Sequence, residues 1–195
     1  MPDAPSDRVA DTSVPIHPAI AARWSPRAFD PGAVLADDDL TALLEAARWA
    51  PTWGRRQPVR FLVGRRGDDD FATIAALLRR GNSYAKAASA LIVLCSDEGE
   101  DERTRLYSAV DAGAAMANLT IEAVSRGLIA HPMAGFDPGG TSEAFGLADG
   151  LRPVMVIAVG RLGDYADATD EIAERDRRPR ERLPVSDIVL NRRQA

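Results

Sequence analysis

The sequence is poor in the side chains that most often carry acid, base or metal chemistry. Cys95 is its only cysteine, and His17 and His131 are its only histidines. These counts exclude a disulfide framework within the chain, a thiolate metal cluster and a metal site built from histidines alone, so we expect no metal. Among 24 basic residues only Lys86 is a lysine, which leaves one candidate for a lysine base or Schiff base. If the protein is an enzyme, we therefore expect a bound cofactor to carry the reaction.

Long apolar runs, basic runs and glycine-rich phosphate loops are also missing. No window approaches the ~18 apolar residues of a membrane span, and the first residues are polar and acidic, unlike a targeting segment. The formal net charge of −5 gives no general attraction to nucleic acid. Neither G-x-G-x-x-G nor G-x-x-x-x-G-K-[ST] occurs, so a phosphate would have to be held by arginines. We expect a cytoplasmic protein with neither a membrane nor a nucleic acid as partner.

Helices and strands are predicted to alternate along the chain. The expected helices cover 17–23, 37–50, 71–78, 101–127 and 142–147, and the expected strands cover 59–63, 90–95, 128–130 and 154–159. This alternation is typical of an α/β or α+β fold. The segment 101–127 is the longest and is predicted to be the central helix, with small residues at 112–115 that allow a second helix to approach closely.

The composition divides the chain into three parts. Residues 1–15 form a polar leader, and 16–163 carry the periodic apolar pattern of a folded domain. Residues 164–195 form a C-terminal arm in which a highly charged stretch, expected to be a solvated linker, precedes the apolar segment 183–190. We expect this arm to dock on another subunit.

Two segments carry arginines that could bind an anion. Arg23-Trp24-Ser25-Pro26-Arg27 places two guanidinium groups and a hydroxyl on a turn stiffened by proline, and guanidinium forks match phosphate oxygens. Arg180 and Arg182 lie two residues apart and would face the same anion if the arm is extended. The alternative for both segments is a set of solvated surface arginines.

Two loops are candidates for contacts with a flat ligand. The segment 46–61 leaves a helix at Pro51, crosses a loop and enters a strand; it is either a ligand-binding loop or a connector with Trp53 in the core. The segment 127–137 passes from a helix through a short strand into a Pro/Gly loop whose backbone N–H groups could face a heterocycle. His131, within it, is by itself more typical of a structural histidine.

In this order and at these spacings, the segments resemble the FMN-dependent nitroreductase family. Arg23-x-Ser25-x-Arg27 is similar to its opening flavin motif, 47–61 to its A-x-x-A-P-S…N-x-Q-P-W-x-F block, and Asp111-x-Gly113…Asn118 to its central helix. Gly127-Leu128 with Gly135-Phe136-Asp137, and Arg180-x-Arg182-x-Pro184, resemble its G-L…G-F-D and closing basic motifs.

The resemblance implies an α+β three-layer sandwich that forms an intertwined homodimer, with the long central helix at the interface and two FMN molecules between the subunits. Arg23, Ser25, Arg180 and Arg182 would hold the phosphate, and Arg27 would act electrostatically on the N1/O2 side of the flavin. The further flavin contacts that the resemblance implies are Trp24, Pro51, Thr52, Trp53, Arg55, Gln57, Asn82, Pro132, Met133, Ala134 and Gly135.

The implied activity is a ping-pong transfer of electrons from NADH or NADPH through FMN to a nitroaromatic, a quinone or a related flat acceptor. Three positions depart from the family pattern: Arg55 replaces an asparagine, Ala134 a glutamate and Tyr84 a lysine. The alternatives are other chemistry on the same fold (flavin degradation, dehalogenation or ene reduction), a flavin-binding protein without turnover, and an interaction module without flavin.

Overall fold

The structure, a computed structural model, describes residues 8–190 of the chain. The elements are α1 Pro18–Ala22, α2 Asp37–Arg48, β1 Val59–Arg65, α3 Asp69–Leu77, a 3₁₀ helix Arg80–Ala87, β2 Ala90–Asp97, α4 Glu102–Ser125, β3 Ile129–Met133, α5 Pro138–Ala144, β4 Leu151–Gly160, α6 Asp170–Arg177 and α7 Val185–Ile188. The structure therefore contains every helix and strand expected between 17 and 159, with shifted ends.

The four strands form one antiparallel sheet in the order β1-β2-β4-β3. The apolar run at the start of β2 explains its central place, because a strand covered on both faces has no polar side. Ile92 and Leu94 contribute to a core with α2 and α4, while Leu91 and Val93 contribute to a second core with α3. Helices thus cover both faces of the sheet, which confirms the α+β three-layer sandwich.

The central helix α4 uses its apolar residues in two ways. Ala112 and Ala115 are buried in the core that α4 shares with the sheet. Two of the four small residues at 112–115 therefore pack within the chain, so they are not available to contact a second helix. Leu106 and Val110, earlier on the same helix, are 61% and 59% exposed in the single chain.

Three differences from the expected elements have local causes. Helix α5 begins earlier than expected because the Asp137 side chain accepts a hydrogen bond from the Gly140 N–H and Pro138 occupies the first turn. The 3₁₀ helix has no apolar periodicity to predict it. The stretch 164–182 is not a solvated linker throughout, because it contains α6, whose Ala173 and Asp176 are buried.

Candidate active site

The opening and closing arginine motifs lie together in the fold. Arg23 is half-buried, and its pKa is lowered by burial and by the positive charge of Arg182. The pKa of Arg180 is lowered by burial and by the charges of Arg23, Arg182 and Arg8. No carboxylate within the described residues lies at ion-pair distance from Arg23, Arg180 or Arg182. The cluster is therefore a concentration of positive charge that a bound anion would relieve.

Arg180 also fastens the C-terminal arm to the start of the domain. Its Nη1 donates to the carbonyl oxygens of Arg8 and, at 3.3 Å, Ala21, and its Nη2 donates to the carbonyl of Arg23 at 2.9 Å. Arg23 Nη1 lies 3.5 Å from the hydroxyl of Ser25. Part of the Arg180 fork is thus occupied by the backbone, which fixes its position beside Arg23.

Arg182 and Trp24 flank this cluster and differ in their surroundings. Arg182 is exposed, and its Nη1 donates to the adjacent Glu181 carbonyl at 2.6 Å. Trp24 is half-buried, with the Arg8 guanidinium 5.1 Å from the centre of its ring. The predicted leader is therefore packed in part, since Arg8 is itself buried; residues 1–7 of that leader and 191–195 of the arm lie outside the described residues.

Arg27 is bound to a buried carboxylate that the sequence analysis missed. Its Nη1 donates to Asp176 Oδ1 at 2.9 Å, and its backbone N–H donates to Asp176 Oδ2 at 2.6 Å. The Asp176 side chain is only 1% exposed. Tyr165 donates a third hydrogen bond, Oη to Oδ2 at 3.0 Å, and both burial and the Asp176 charge raise the pKa of Tyr165.

The Tyr84 ring connects Arg27 to His131 of strand β3. The Arg27 guanidinium lies 5.8 Å from the centre of the Tyr84 ring, and Tyr84 Oη is 3.0 Å from His131 Nε2. Burial lowers the pKa of His131 and raises the pKa of Tyr84 to about 12. We therefore assign His131 as neutral, with Nδ1–H donating to the Pro26 carbonyl at 2.9 Å and Nε2 accepting from Tyr84.

The loop at the end of β3 presents backbone groups on a tight surface. Asn82 Nδ2 donates to the Gly135 carbonyl at 2.8 Å, and a Cβ on Gly135 would lie 2.6 Å from that nitrogen. A side chain at position 135 would therefore displace the Asn82 amide from this hydrogen bond. The N–H groups of Ala134 and Gly135 donate no hydrogen bond inside the described range. Pro132 is half-buried, and Met133 points its side chain into the core.

The loop after α2 is held against α4. Asp111 of α4, itself buried, accepts the Trp53 N–H at 3.0 Å, and the Trp53 ring stacks on Tyr107 at 4.9 Å. Thr52 and Gln57 line a cavity of about 530 Å³ between α2, β1 and α4. Pro51 and Arg55 are exposed. Trp53 is therefore half-exposed on the surface of α4 and does not belong to the core.

The structure brings the expected site residues into two separate groups. One contains the arginine motifs, Asn82 and the loop 132–135; the other is the loop 51–57. Across the described range, no hydrogen bond, ion pair or ring contact joins the two groups. That range also holds no group of three potential metal ligands and no helix long and apolar enough to cross a bilayer.

Sequence reasoning missed Asp176 and Tyr165 as parts of this region. Both lie in a highly charged stretch where the apolar pattern stops. The capping pattern of α6 is a signal that could have found the helix that carries Asp176; Tyr165 precedes that helix and has no such signal. Thr169 caps the helix, and Asp170 and Glu171 lie in its first turn, with Arg175 and Arg177 in its last.

Comparison with known proteins identifies relatives over most of the chain. The model of the nitroreductase family matches residues 20–98 and 73–161. An uncharacterized 15.4 kDa protein in the ask 5′ region of Mycolicibacterium smegmatis is 63% identical over 143 residues, which are 69% of this chain and 97% of that protein. YdgI of Bacillus subtilis, named for an NAD(P)H nitroreductase, is 25% identical over 197 residues, covering 78% of this chain and 93% of its own.

Solved structures share the fold over nearly the whole chain. A crystal structure of an oxidoreductase containing FMN has a TM-score of 0.84 and 31% identity, covering 95% of this chain and 96% of its own. A nitroreductase-named protein of Exiguobacterium sibiricum, solved in complex with FMN, has a TM-score of 0.76 at 22% identity, covering 93% and 99%. At 22% identity, the similarity to the Exiguobacterium sibiricum protein shows a shared fold only.

Proposed function

Since the chain belongs to the nitroreductase family, we propose that it is an FMN-dependent oxidoreductase. It takes electrons from NADH or NADPH and delivers them to a flat organic acceptor such as a nitroaromatic or a quinone. The observation that carries this proposal is the convergence of Arg23, Arg180 and Arg182 on one place, with no acidic partner among residues 8–190. The FMN contained in a solved relative that is 31% identical supports the choice of cofactor.

The donor groups of the chain fit FMN. A phosphate dianion suits three guanidinium groups and the Ser25 hydroxyl, because charge-assisted hydrogen bonds to phosphate are strong and guanidinium forks match its oxygens. The N–H groups of Ala134 and Gly135, which donate no hydrogen bond within the described part of the chain, suit the acceptor atoms of a flavin ring. The close approach of Asn82 to Gly135 gives a compact polar wall beside them. When bound, FMN supplies two-electron transfer between the nicotinamide and the acceptor.

The chain's own part in the reaction is to bind, orient and stabilise charge. Arg23, Arg180 and Arg182 anchor the phosphate end, while Asn82 and the loop 132–135 orient the ring. Arg27 would place its guanidinium near the part of the ring that becomes anionic on reduction, with its charge partly offset by Asp176. A fixed positive group of this kind needs no rearrangement during electron transfer, which is what makes preorganised electrostatics effective.

The loop 51–57 completes the site from a second subunit in this proposal. It is held against α4, and no contact joins it to the arginine cluster within the described part of one chain. The exposed Leu106 and Val110 on α4 offer an apolar surface for the partner. The functional unit is therefore a homodimer in which each site takes residues from both chains.

Colour and anaerobic reduction test this function. The purified protein, incubated with FMN and desalted, should be yellow and should bleach on adding NADH or NADPH without oxygen. A panel of nitroaromatics and quinones should then restore the colour. Arg152→Ala, which removes an exposed arginine paired with Glu98, is the matched control and should bind FMN normally.

The other outcomes contradict the proposal in different ways. Protein that binds FMN but does not bleach with either nicotinamide is a flavoprotein of other chemistry or a flavin-binding protein without turnover. Protein that cannot take up FMN at all has no flavin function. Either result overturns the reductase assignment.

A further inference from the structure

The carboxylate of Asp176 is the least exposed ionisable side chain at the candidate site. It accepts three hydrogen bonds, two from Arg27 and one from Tyr165. Burying an ion costs several kcal/mol unless a partner compensates it. Here the compensation is the Arg27 guanidinium, whose side chain is 22% exposed against 1% for Asp176. The two side chains therefore form one electrically balanced unit.

This unit joins two distant parts of the sequence. Asp176 lies on α6, which is held against the domain by Ala173 on the same face. Four residues further on, Arg180 bonds the backbone carbonyls of Ala21 and Arg23. The arm is thus fastened to the segment 21–27 at two places, and Asp176 is the fastening that touches Arg27.

The charges around Arg27 come from few other groups. Tyr84 lies against the guanidinium and is neutral at ordinary pH, because burial raises its pKa to about 12. Arg175, also on α6, has its own partner in Glu171 at 3.6 Å. The Nε of Arg27 is buried and has no hydrogen-bond partner among the described residues. Asp176 is therefore the group that decides how much net positive charge the Arg27 unit presents.

We propose that Asp176 is a positioning residue of the flavin site, which orients Arg27 through its carboxylate and offsets the positive charge that Arg27 presents to the bound flavin. The proposal rests on the proposed FMN function. Its consequence is electrostatic: the wild-type pair presents little net charge, so reduction of the flavin gains less from Arg27 than from an isolated guanidinium.

Four proteins test the charge balance: the wild type, Asp176→Asn, Arg27→Gln and the double variant. The measurement is the two-electron midpoint potential of bound FMN at saturation. Asp176→Asn leaves an uncompensated cation and should favour the reduced flavin, whereas Arg27→Gln leaves an uncompensated anion and should disfavour it. We expect each shift to correspond to about a tenfold change in the ratio of reduced to oxidised affinity, or about 30 mV for a two-electron couple.

The double variant separates charge from structure. It replaces a balanced ion pair with two neutral amides, so its potential should return close to that of the wild type. Tyr165→Phe is the matched control, because it removes one hydrogen bond from Asp176 and keeps both charges; its potential should stay near the wild-type value. If Asp176→Asn does not fold, the midpoint potentials of Arg27→Gln and the double variant are compared instead. A higher potential in the double variant supports the charge balance, because it lacks the uncompensated Asp176 anion.

Shifts of the same sign in both single variants, or no shift in either, would overturn the role of Asp176 while FMN binding and reductase activity stand. A double variant whose potential stays at that of Arg27→Gln would also overturn it. A wild-type protein that takes up no FMN instead refutes the proposed function, and this is established before any potential is measured.

Discussion

Replacing Arg23 with alanine tests whether the arginine cluster holds a phosphate. Arg23 is half-buried beside Arg182, and the positive charge of Arg182 contributes to lowering its pKa. A bound phosphate would remove this repulsion and gain a charge-assisted hydrogen bond, which contributes about 1.5–3 kcal/mol. Because about 1.4 kcal/mol equals a factor of ten, we expect Arg23→Ala to raise the dissociation constant of FMN about 10- to 150-fold.

Riboflavin provides the control within the same assay, because it carries the flavin ring without the phosphate. Quenching of flavin fluorescence measures both ligands on both proteins. Arg23→Ala should weaken FMN and leave riboflavin affinity nearly unchanged, so the preference of the wild type for FMN should largely disappear. Arg152→Ala, far from the cluster along β4, should change neither affinity.

Two results would refute this reasoning. Equal FMN affinity in Arg23→Ala and the wild type would mean that the guanidinium is solvated and contacts no phosphate. An equal loss for FMN and riboflavin would mean that Arg23 supports the loop and not the phosphate, since the one hydrogen-bond partner of its side chain within residues 8–190 is the Ser25 hydroxyl at 3.5 Å.

Further expectations concern the arm, the buried titratable groups and the assembly. Truncation before Arg180 should weaken FMN binding more than tenfold, because charge-assisted bonds to phosphate contribute about 1.5–3 kcal/mol each; unchanged binding in a titration would contradict this. Because burial lowers the pKa of His131, the unfolded chain takes up its proton first as pH falls, so the free energy of unfolding should drop as the pH falls below the ordinary histidine pKa of about 6.5, by at most about 1.4 kcal/mol per pH unit. Urea unfolding should show a weaker dependence in His131→Asn, and an equal dependence would refute the assignment. Burial raises the pKa of Cys95 to about 11, so a thiol reagent should label the protein only after denaturation, and rapid labelling of the native protein would be inconsistent with the fold. Light scattering should give twice 20.9 kDa, because Leu106 and Val110 are exposed in one chain; a stable folded monomer would contradict the dimer.

The sequence predicts the layers of this fold well, because their elements obey the apolar periodicities. The apolar run of β2 and the spacing of the buried Leu40, Leu43 and Ala47 on α2 predict these elements without further information, and the long α4 follows from the same rule. The place of each strand in the sheet does not follow, since antiparallel neighbours are chosen by packing across the whole domain. The order β1-β2-β4-β3 is therefore known only from the structure.

The candidate site is predictable where function is carried by short local motifs. Arg23 and Ser25 are neighbours in sequence and in space, and their partner Arg180 was expected from its own motif. Asp176 was not expected, because only two residues of α6 are buried. In the sequence, Asp176 cannot be distinguished from the surface charges of the same stretch. A buried charge is detectable only when its partner in space is known, and Arg27 lies 149 residues away.

The energetics of that pair agree with our proposal that it serves the flavin site more than the stability of the fold. Replacing a buried ion pair with apolar residues of similar volume is often neutral or stabilising, so such a pair is weak grounds for stability. Losing one partner, in contrast, leaves an uncompensated charge and is strongly destabilising. Asp176 and Arg27 join the arm to the segment that carries the first arginine motif. Orientation of Arg27 and control of its charge are functions that an apolar contact between the same two segments would not supply.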